Sequence, residues 1–258
     1  MITRQQLQII NRKQLGYPLD VAEKDYYLAL AVKLIAESPL GDTLVFKGGT
    51  AIHHCYLPQY RFSEDLDFTS LDRSLDLQRV VETLESTGDF AVKKKFVSPA
   101  TIKIERLSYQ GILDQPGAIK VEIDRKQNVV LPPTQRPYAN VWNIAAGIQT
   151  MHITEVIAEK IRAAATRARY RDFYDLYLIL QQPEADAAQA LALLQLKEIR
   201  AVVSPAQMME NWRMAQQEAT DDLRSIFCTR QVDAQSISDT LAKLQFAPLF
   251  PFQNRDDA

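Results

Sequence analysis

Glycine is scarce in this chain, with 8 among 258 residues, about 3% against the roughly 7% of average proteins. Cysteine is rarer still. Cys55 and Cys228 are too few for a disulfide framework or a structural zinc site, so no disulfide partner is expected, and a reducing cytoplasm is the expected compartment. No apolar run approaches the roughly 18 residues that a membrane span requires. The opening MITRQQLQIINRKQ lacks the apolar core of a signal peptide. Nor does either charge dominate. Thirty basic and 32 acidic residues leave a net charge of −2, which argues against a globally basic nucleic-acid surface.

What is present is ordinary globular composition, 47% apolar and 24% charged. The length admits one large domain or two small ones, and suffices for a core without covalent staples. Residues 21–36 have helical spacing. Thr43–Phe46 reads as a buried strand running into Lys47-Gly48-Gly49, with a helix from Thr50 to Tyr56. Strands are expected at 63–69, 90–97, 101–109 and 119–125, and a helix at 76–85. Pro132, Pro133 and Pro137 mark a loop. Beyond about Ile153 the pattern turns helical, over 155–180, 187–203, 206–226 and 235–245, with an irregular tail after Pro248. Strands in the first part and helices in the second predict an α+β fold, a mixed β-sheet core flanked by helices with a helical C-terminal half.

Three features carry chemistry. The first is Gly48-Gly49, two of the eight glycines side by side after a strand. Backbone N–H groups opening onto a helix start can cradle phosphate. Taken alone, the pair reads first as a plain strand-to-helix turn. The second is Arg61-Phe62-Ser63-Glu64-Asp65-Leu66-Asp67-Phe68. On a strand, Asp65 and Asp67 share a face, with carboxylates roughly 7 Å apart. Such a pair repels itself and suits one or two divalent cations held with substrate phosphate. Two acids flanked by Leu66 and Phe68 are also poor strand formers, so a merely solvated face explains them less well. A third carboxylate could come from IKVEIDR, where Ile119, Val121 and Ile123 face one way and Lys120, Glu122 and Asp124 the other. Glu122 is the first choice by position and Asp124 the reserve. Carboxylates from two strands can hold metals for in-line phosphoryl transfer.

The third feature is basic. Lys160 to Arg171 contains five cations and no acid. On one continuous helix, Lys160, Arg167 and Arg171 fall within about 20° of a line. Arg162 and Arg169 read as solvent-facing, Asp172 falls on the apolar side and so requires a partner or ligand, and Asp175 could pair with Arg171 at i,i+4. Other features are bland. Lys93–Lys95 reads as a charged strand edge before an RNA path. His53-His54 is two ligands short of a zinc site. Trp142, Trp212, Phe173, Tyr174 and Tyr177 read as packing.

Together, Phe46-Lys47-Gly48-Gly49-Thr50, Arg61 to Phe68, and Glu159-Lys160 through Arg171-Asp172-Phe173-Tyr174-Asp175-Leu176 resemble the AbiEii/AbiGii toxin family. These are nucleotidyltransferases of the DNA polymerase β superfamily, similar to the mycobacterial MenT toxins, and the toxin halves of type IV toxin–antitoxin and abortive-infection phage-defence systems. The resemblance covers roughly residues 20–180, including Glu23-Lys24-Asp25-Tyr26. It implies a nucleotidyltransferase core over 1–152 and a helical domain over 153–258 that completes the active site. It further implies that Lys47, Gly48, Gly49, Thr50 and Ser63 grip a nucleoside triphosphate, with Lys160, Arg167, Arg171, Asp172 and Asp175 as the helical motif. Asp65 and Asp67, with Glu122, would hold Mg²⁺ or Mn²⁺. Catalysis would rest on Asp65, Asp67, Glu122 and Lys160. The implied reaction moves a nucleoside monophosphate onto tRNA, another RNA or a protein, with release of pyrophosphate. A cognate antitoxin encoded nearby is the implied partner, and no membrane is involved. The residues alone also admit a metal-dependent phosphohydrolase or nuclease, or a non-catalytic nucleotide-binding protein.

Overall fold

A computed structural model describes residues 1–217, 219, 223 and 226–251. The chain divides into two compact units, Met1–Met151 and His152–Ala258.

The first unit is built on one seven-stranded mixed sheet. Its strands are β1 Leu44–Lys47, β2 Asp65–Ser70, β3 Ala91–Val97, β4 Thr101–Gln110, β5 Pro116–Asp124, β6 Thr134–Pro137 and β7 Gly147–Thr150, in the order β3-β4-β5-β2-β1-β7-β6. β2 pairs parallel with β5, and β1 parallel with β7; the other neighbours are antiparallel. Helix α1 (Arg4–Ile10) starts at a capping box formed by Thr3 and Gln6. Helix α2 (Leu19–Ala36) packs on β5 and β7. It buries Ala22, Tyr26, Leu28, Ala29, Val32 and Ile35 as well as the polar Glu23 and Asp25, so it is a core helix rather than a surface one. A short helix, α3 (Gly48–Ala51), follows β1 directly, and α4 (Leu77–Glu85) is capped by the Asp76 side chain.

The sheet has one apolar side because its strands alternate. Phe46, Phe68, Leu66, Val121 and Ile123 are fully buried, and Phe46 lies directly opposite Phe68 with ring centroids 5.1 Å apart. Slipping β2 by one residue would turn Leu66 and Phe68 outward and the two aspartates inward. The cost of exposing that apolar pair therefore fixes which way the carboxylates point.

The expected loop at the prolines is in part a strand. Thr134–Pro137 pairs with β7 at the sheet edge, where a proline's missing N–H costs no ladder bond. β7 itself, four residues long with Ile148 and Thr150 buried, was not expected.

The second unit is helical: α5 Ile153–Thr166, α6 Tyr170–Leu180, α7 Ala187–Leu194, α8 Pro205–Gln217 and α9 Ala234–Ala242. The expected continuous helix over 155–180 is broken. Arg167 and Arg169 have extended backbone, and α6 restarts at Tyr170. The helix expected over 187–203 ends at Leu194, after which Lys197 turns into the interior. Part of the helix expected over 206–226 lies outside the described residues, as does the end of the tail. Leu249 of that tail pairs with Val203 in an isolated bridge. Among the described residues no helix is long and apolar enough to cross a membrane.

Candidate active site

Strand register assembles a row of charges on the face opposite the phenylalanines. Lys47 of β1 stands across from Asp67 of β2, Asp67 from Glu122 of β5, and Glu122 from Lys103 of β4. Asp65 stands across from Lys120. Residues paired across a ladder share a face, so the sheet presents three carboxylates and three lysines together.

The glycine pair opens onto this row. Gly48 has φ +80°, and a Cβ there would overlap the Asp67 side chain. A Cβ on Gly49 would meet the Arg61 guanidinium and lie 2.8 Å from the Ser63 hydroxyl. The scarce glycines are thus used where the chain passes close to Asp67, Arg61 and Ser63. Thr50, fully buried, donates its hydroxyl proton to the Asp65 carbonyl at 2.6 Å, so it ties the helix start to the acidic strand. Gly88 has a similar φ of +77° but open space where a Cβ would stand. Gly48→Ala is accordingly expected to cost more than Gly88→Ala. Both incur roughly 1–2 kcal/mol of left-handed strain, and only the first also displaces Asp67. Urea midpoints of the two variants measure the difference.

Electrostatics on the row are uneven. Burial, and next the Asp65 charge, push the Asp67 carboxyl up to about 6; Glu122 adds to this, while Lys47 and Lys120 oppose it. Glu122 is held by two lysines, Lys103 at 3.2 Å and Lys120 at 3.3 Å. Lys120 also lies 4.0 Å from Asp65. Asp124, the reserve third carboxylate, instead accepts the Lys126 and Gln127 N–H groups in the turn after β5. Among the described residues no three His, Cys, Asp or Glu side chains converge tightly enough to ligate one ion. The donor set is nonetheless all oxygen, as Mg²⁺ prefers, and the charge that burial and Asp65 penalise on Asp67 is one that a divalent cation would neutralise.

The N-terminal motif braces the same region. Lys24 pairs with Glu64 at 2.6 Å, and Glu23 accepts from the Leu113 N–H. Asp25 accepts from Gln59 and from the Trp142 indole. His54 donates through Nδ1 to the Ala139 carbonyl and stacks on Tyr138, so it belongs to the core.

In the second unit the helical motif forms an inward cluster rather than an outward stripe. Lys160 donates to Asp172 at 3.0 Å and to Asp175 at 2.7 Å. Arg167 grips both oxygens of Asp172, at 2.6 and 3.1 Å. On one helix Lys160 and Asp172 would be roughly 18 Å apart along the axis, and Arg167 and Asp172 about 140° apart around it. The break after Thr166 is what lets all three meet. The required partner of Asp172 is therefore found, whereas Asp175 accepts from Lys160 and not, as expected, from Arg171. Burial alone would raise the Asp172 carboxyl, but Lys160 and Arg167 outweigh it and hold it at about 2. Arg162, expected to face solvent, donates to Glu159 and to the Glu198 carbonyl. Arg169 is exposed.

Unit one thus brings together Lys47, Gly48, Gly49, Thr50, Ser63, Asp65, Asp67 and Glu122, and unit two Lys160, Arg167, Asp172 and Asp175. Sequence reasoning passed over Arg61, Lys103 and Lys120 as site residues. Only the β2–β5–β4 register reveals the two lysines. It also missed Lys197, fully buried between Glu155 and Glu159, for which a lone lysine in an expected helix gives no signal.

Comparison with known proteins gives the family and the fold. Residues 29–247 match the family described as nucleotidyl transferase AbiEii toxin, type IV TA system. No curated protein matches. Among solved structures, the chain is similar to MenT4, a nucleotidyltransferase toxin of Mycobacterium tuberculosis H37Rv, at a TM-score of 0.62 and 19% identity, covering 93% of this chain and 99% of that one.

Proposed function

This chain belongs to the AbiEii nucleotidyltransferase toxin family of type IV toxin–antitoxin systems, and from that premise we propose that it transfers a nucleoside monophosphate from an NTP to an acceptor hydroxyl. The observation that carries the reading is the register that sets Asp65, Asp67 and Glu122 on one sheet face, with the Gly48-Gly49 turn against Asp67. Backbone N–H groups of that turn, the Ser63 hydroxyl and Lys47 hold the triphosphate. Thr50 keeps β2 in place beneath it. In the second unit Lys160 has two of its three N–H donors on Asp172 and Asp175, and by its place in the family's helical motif it is the proposed lysine for the triphosphate. Arg167 and Asp172 fix its orientation, and Arg171 adds positive charge.

Asp65 and Asp67 would hold a divalent cation, Mg²⁺ or Mn²⁺, which would stabilise charge on the transferring phosphoryl group. Glu122 accepts the proton of the attacking hydroxyl. The new P–O bond forms at the α-phosphorus as the bond to the bridging oxygen breaks, and pyrophosphate leaves. An RNA such as tRNA is the proposed acceptor, and an antitoxin encoded nearby the proposed partner.

Incubation of the full chain with each α-³²P-labelled NTP, Mg²⁺ and total cell RNA or protein tests this. Label is expected on a macromolecule, and is expected to vanish in Asp65→Ala. RNA shortened without label by the wild type alone would overturn the reading in favour of a nuclease. NTP binding without label or cleavage would overturn it in favour of a binding protein.

A further inference from the structure

The candidate site contains a cation of its own. Lys120 does not wander on a surface: the parallel β2–β5 ladder sets it beside Asp65 and two residues before Glu122 on the same face. Its ammonium lies 3.3 Å from Glu122 and 4.0 Å from Asp65. Lys103, from the next strand, holds the other oxygen of Glu122 at 3.2 Å. Two of the three carboxylates therefore already have a lysine partner, and no three-carboxylate cluster is assembled among the described residues.

We propose that Lys120 is a built-in competitor for the divalent cation, holding Asp65 and Glu122 until a nucleotide arrives. The inference rests on the metal-dependent transferase reading above. A divalent ion taken up by Asp65 and Asp67 must draw Asp65 from Lys120, and it then faces the ammonium as a like charge. Without nucleotide, this repulsion keeps the ion loosely held. A triphosphate changes both sides of the competition. Its oxygens give the ion further ligands, and they give Lys120 another anion. Metal and nucleotide then favour each other's binding through Lys120, and by linkage the coupling is reciprocal. The lysine ties the loading of one to the other, so the site is armed only when both are present.

The test is Mn²⁺ titration of the nucleotide-free full chain, followed by electron paramagnetic resonance of the unbound ion. The proteins are wild type, Lys120→Met and Lys120→Gln. Lys93→Met is the control, an exposed lysine on β3. Lys120 is itself about two-fifths exposed, so both replacements should leave the fold intact, and thermal melts check that. Removing the positive charge that lies beside Asp65 and Glu122 is expected to tighten Mn²⁺ binding about ten-fold in both variants. The control should match wild type. Equal Mn²⁺ affinity in wild type and both variants overturns the competitor role while leaving the transferase reading intact. Absence of Mn²⁺ binding in all four proteins overturns it too, and takes the metal reading with it.

Discussion

Replacing Asp67 with asparagine is expected to make the metal-free protein more stable at pH 7.5 and to abolish transfer. The folded-state pKa of Asp67 is pushed up to about 6, by burial first and by Asp65 next, from an ordinary value near 3.9. The native state therefore holds this proton more tightly than the unfolded chain does. The resulting stability is fully present below about pH 4 and is lost as pH rises through about 6. At pH 7.5 the ionised carboxylate works against folding by at most about 3 kcal/mol. Asparagine relieves that cost, which for a unit of this size corresponds to roughly 6–12 °C in melting temperature at most. Adding Mg²⁺ should stabilise the wild type, because an ion bound only by the native state shifts the equilibrium. It should do nothing for Asp67→Asn. Transfer should fall by at least about 10²-fold. A variant that is less stable than wild type without metal, or that still gains stability from Mg²⁺, would show that Asp67 is not part of a cation site.

Lys160→Met is expected to have the largest effect on folding. Asp172 and Asp175 are almost wholly buried, and both take hydrogen bonds from this one ammonium. Losing it leaves Asp175 without that partner and Asp172 with Arg167 as its remaining cation. Removing the cation from a buried ion-pair cluster costs about 3–5 kcal/mol. Adding Asp175→Asn to Lys160→Met should recover part of that stability, because one buried carboxylate is then neutral. Transfer should not return with it if Lys160 also meets a phosphate. Urea unfolding of the two single variants and the double variant, with transfer assayed on each, separates the roles. If the double variant regains both stability and activity, Lys160 is a structural residue alone.

How much of this was legible in the sequence follows from the length scale of each signal. Alternation over β2 and β5 is local, so the shared face of Asp65 and Asp67, and that of Lys120, Glu122 and Asp124, could be read directly. Which residue of β5 stands beside which residue of β2 is a matter of register, and one strand says nothing about its neighbour. Lys120 therefore read as an ordinary polar-face residue, though it lies against Asp65 and Glu122. The break at Arg167–Arg169 was invisible because Thr-Arg-Ala-Arg contains no glycine or proline. The break coincides with the pairing of Lys160 and Arg167 with Asp172, which periodicity does not register. Strands β6 and β7, four residues each, are too short to show a period. The family resemblance implies Thr50 as a phosphate contact; that its hydroxyl also donates to the Asp65 carbonyl, tying the turn to β2, is a long-range bond that no local pattern announces.

The pairing order of the sheet also has a meaning for synthesis. β1 and β2 are made early and can pair as antiparallel neighbours at once. Yet β2 finds its parallel partner only when β5 has emerged, and β1 waits for β7 at the end of the unit. Such distant contacts form late, and chains lengthen by only about 5–20 residues each second. A ribosome-bound fragment can thus carry the glycine turn and both aspartates while still lacking Glu122, Lys160 and the strands that hold β1 and β2 in place. On the transferase reading proposed above, a fragment that ends before β5 carries both aspartates without the third carboxylate and would be inactive.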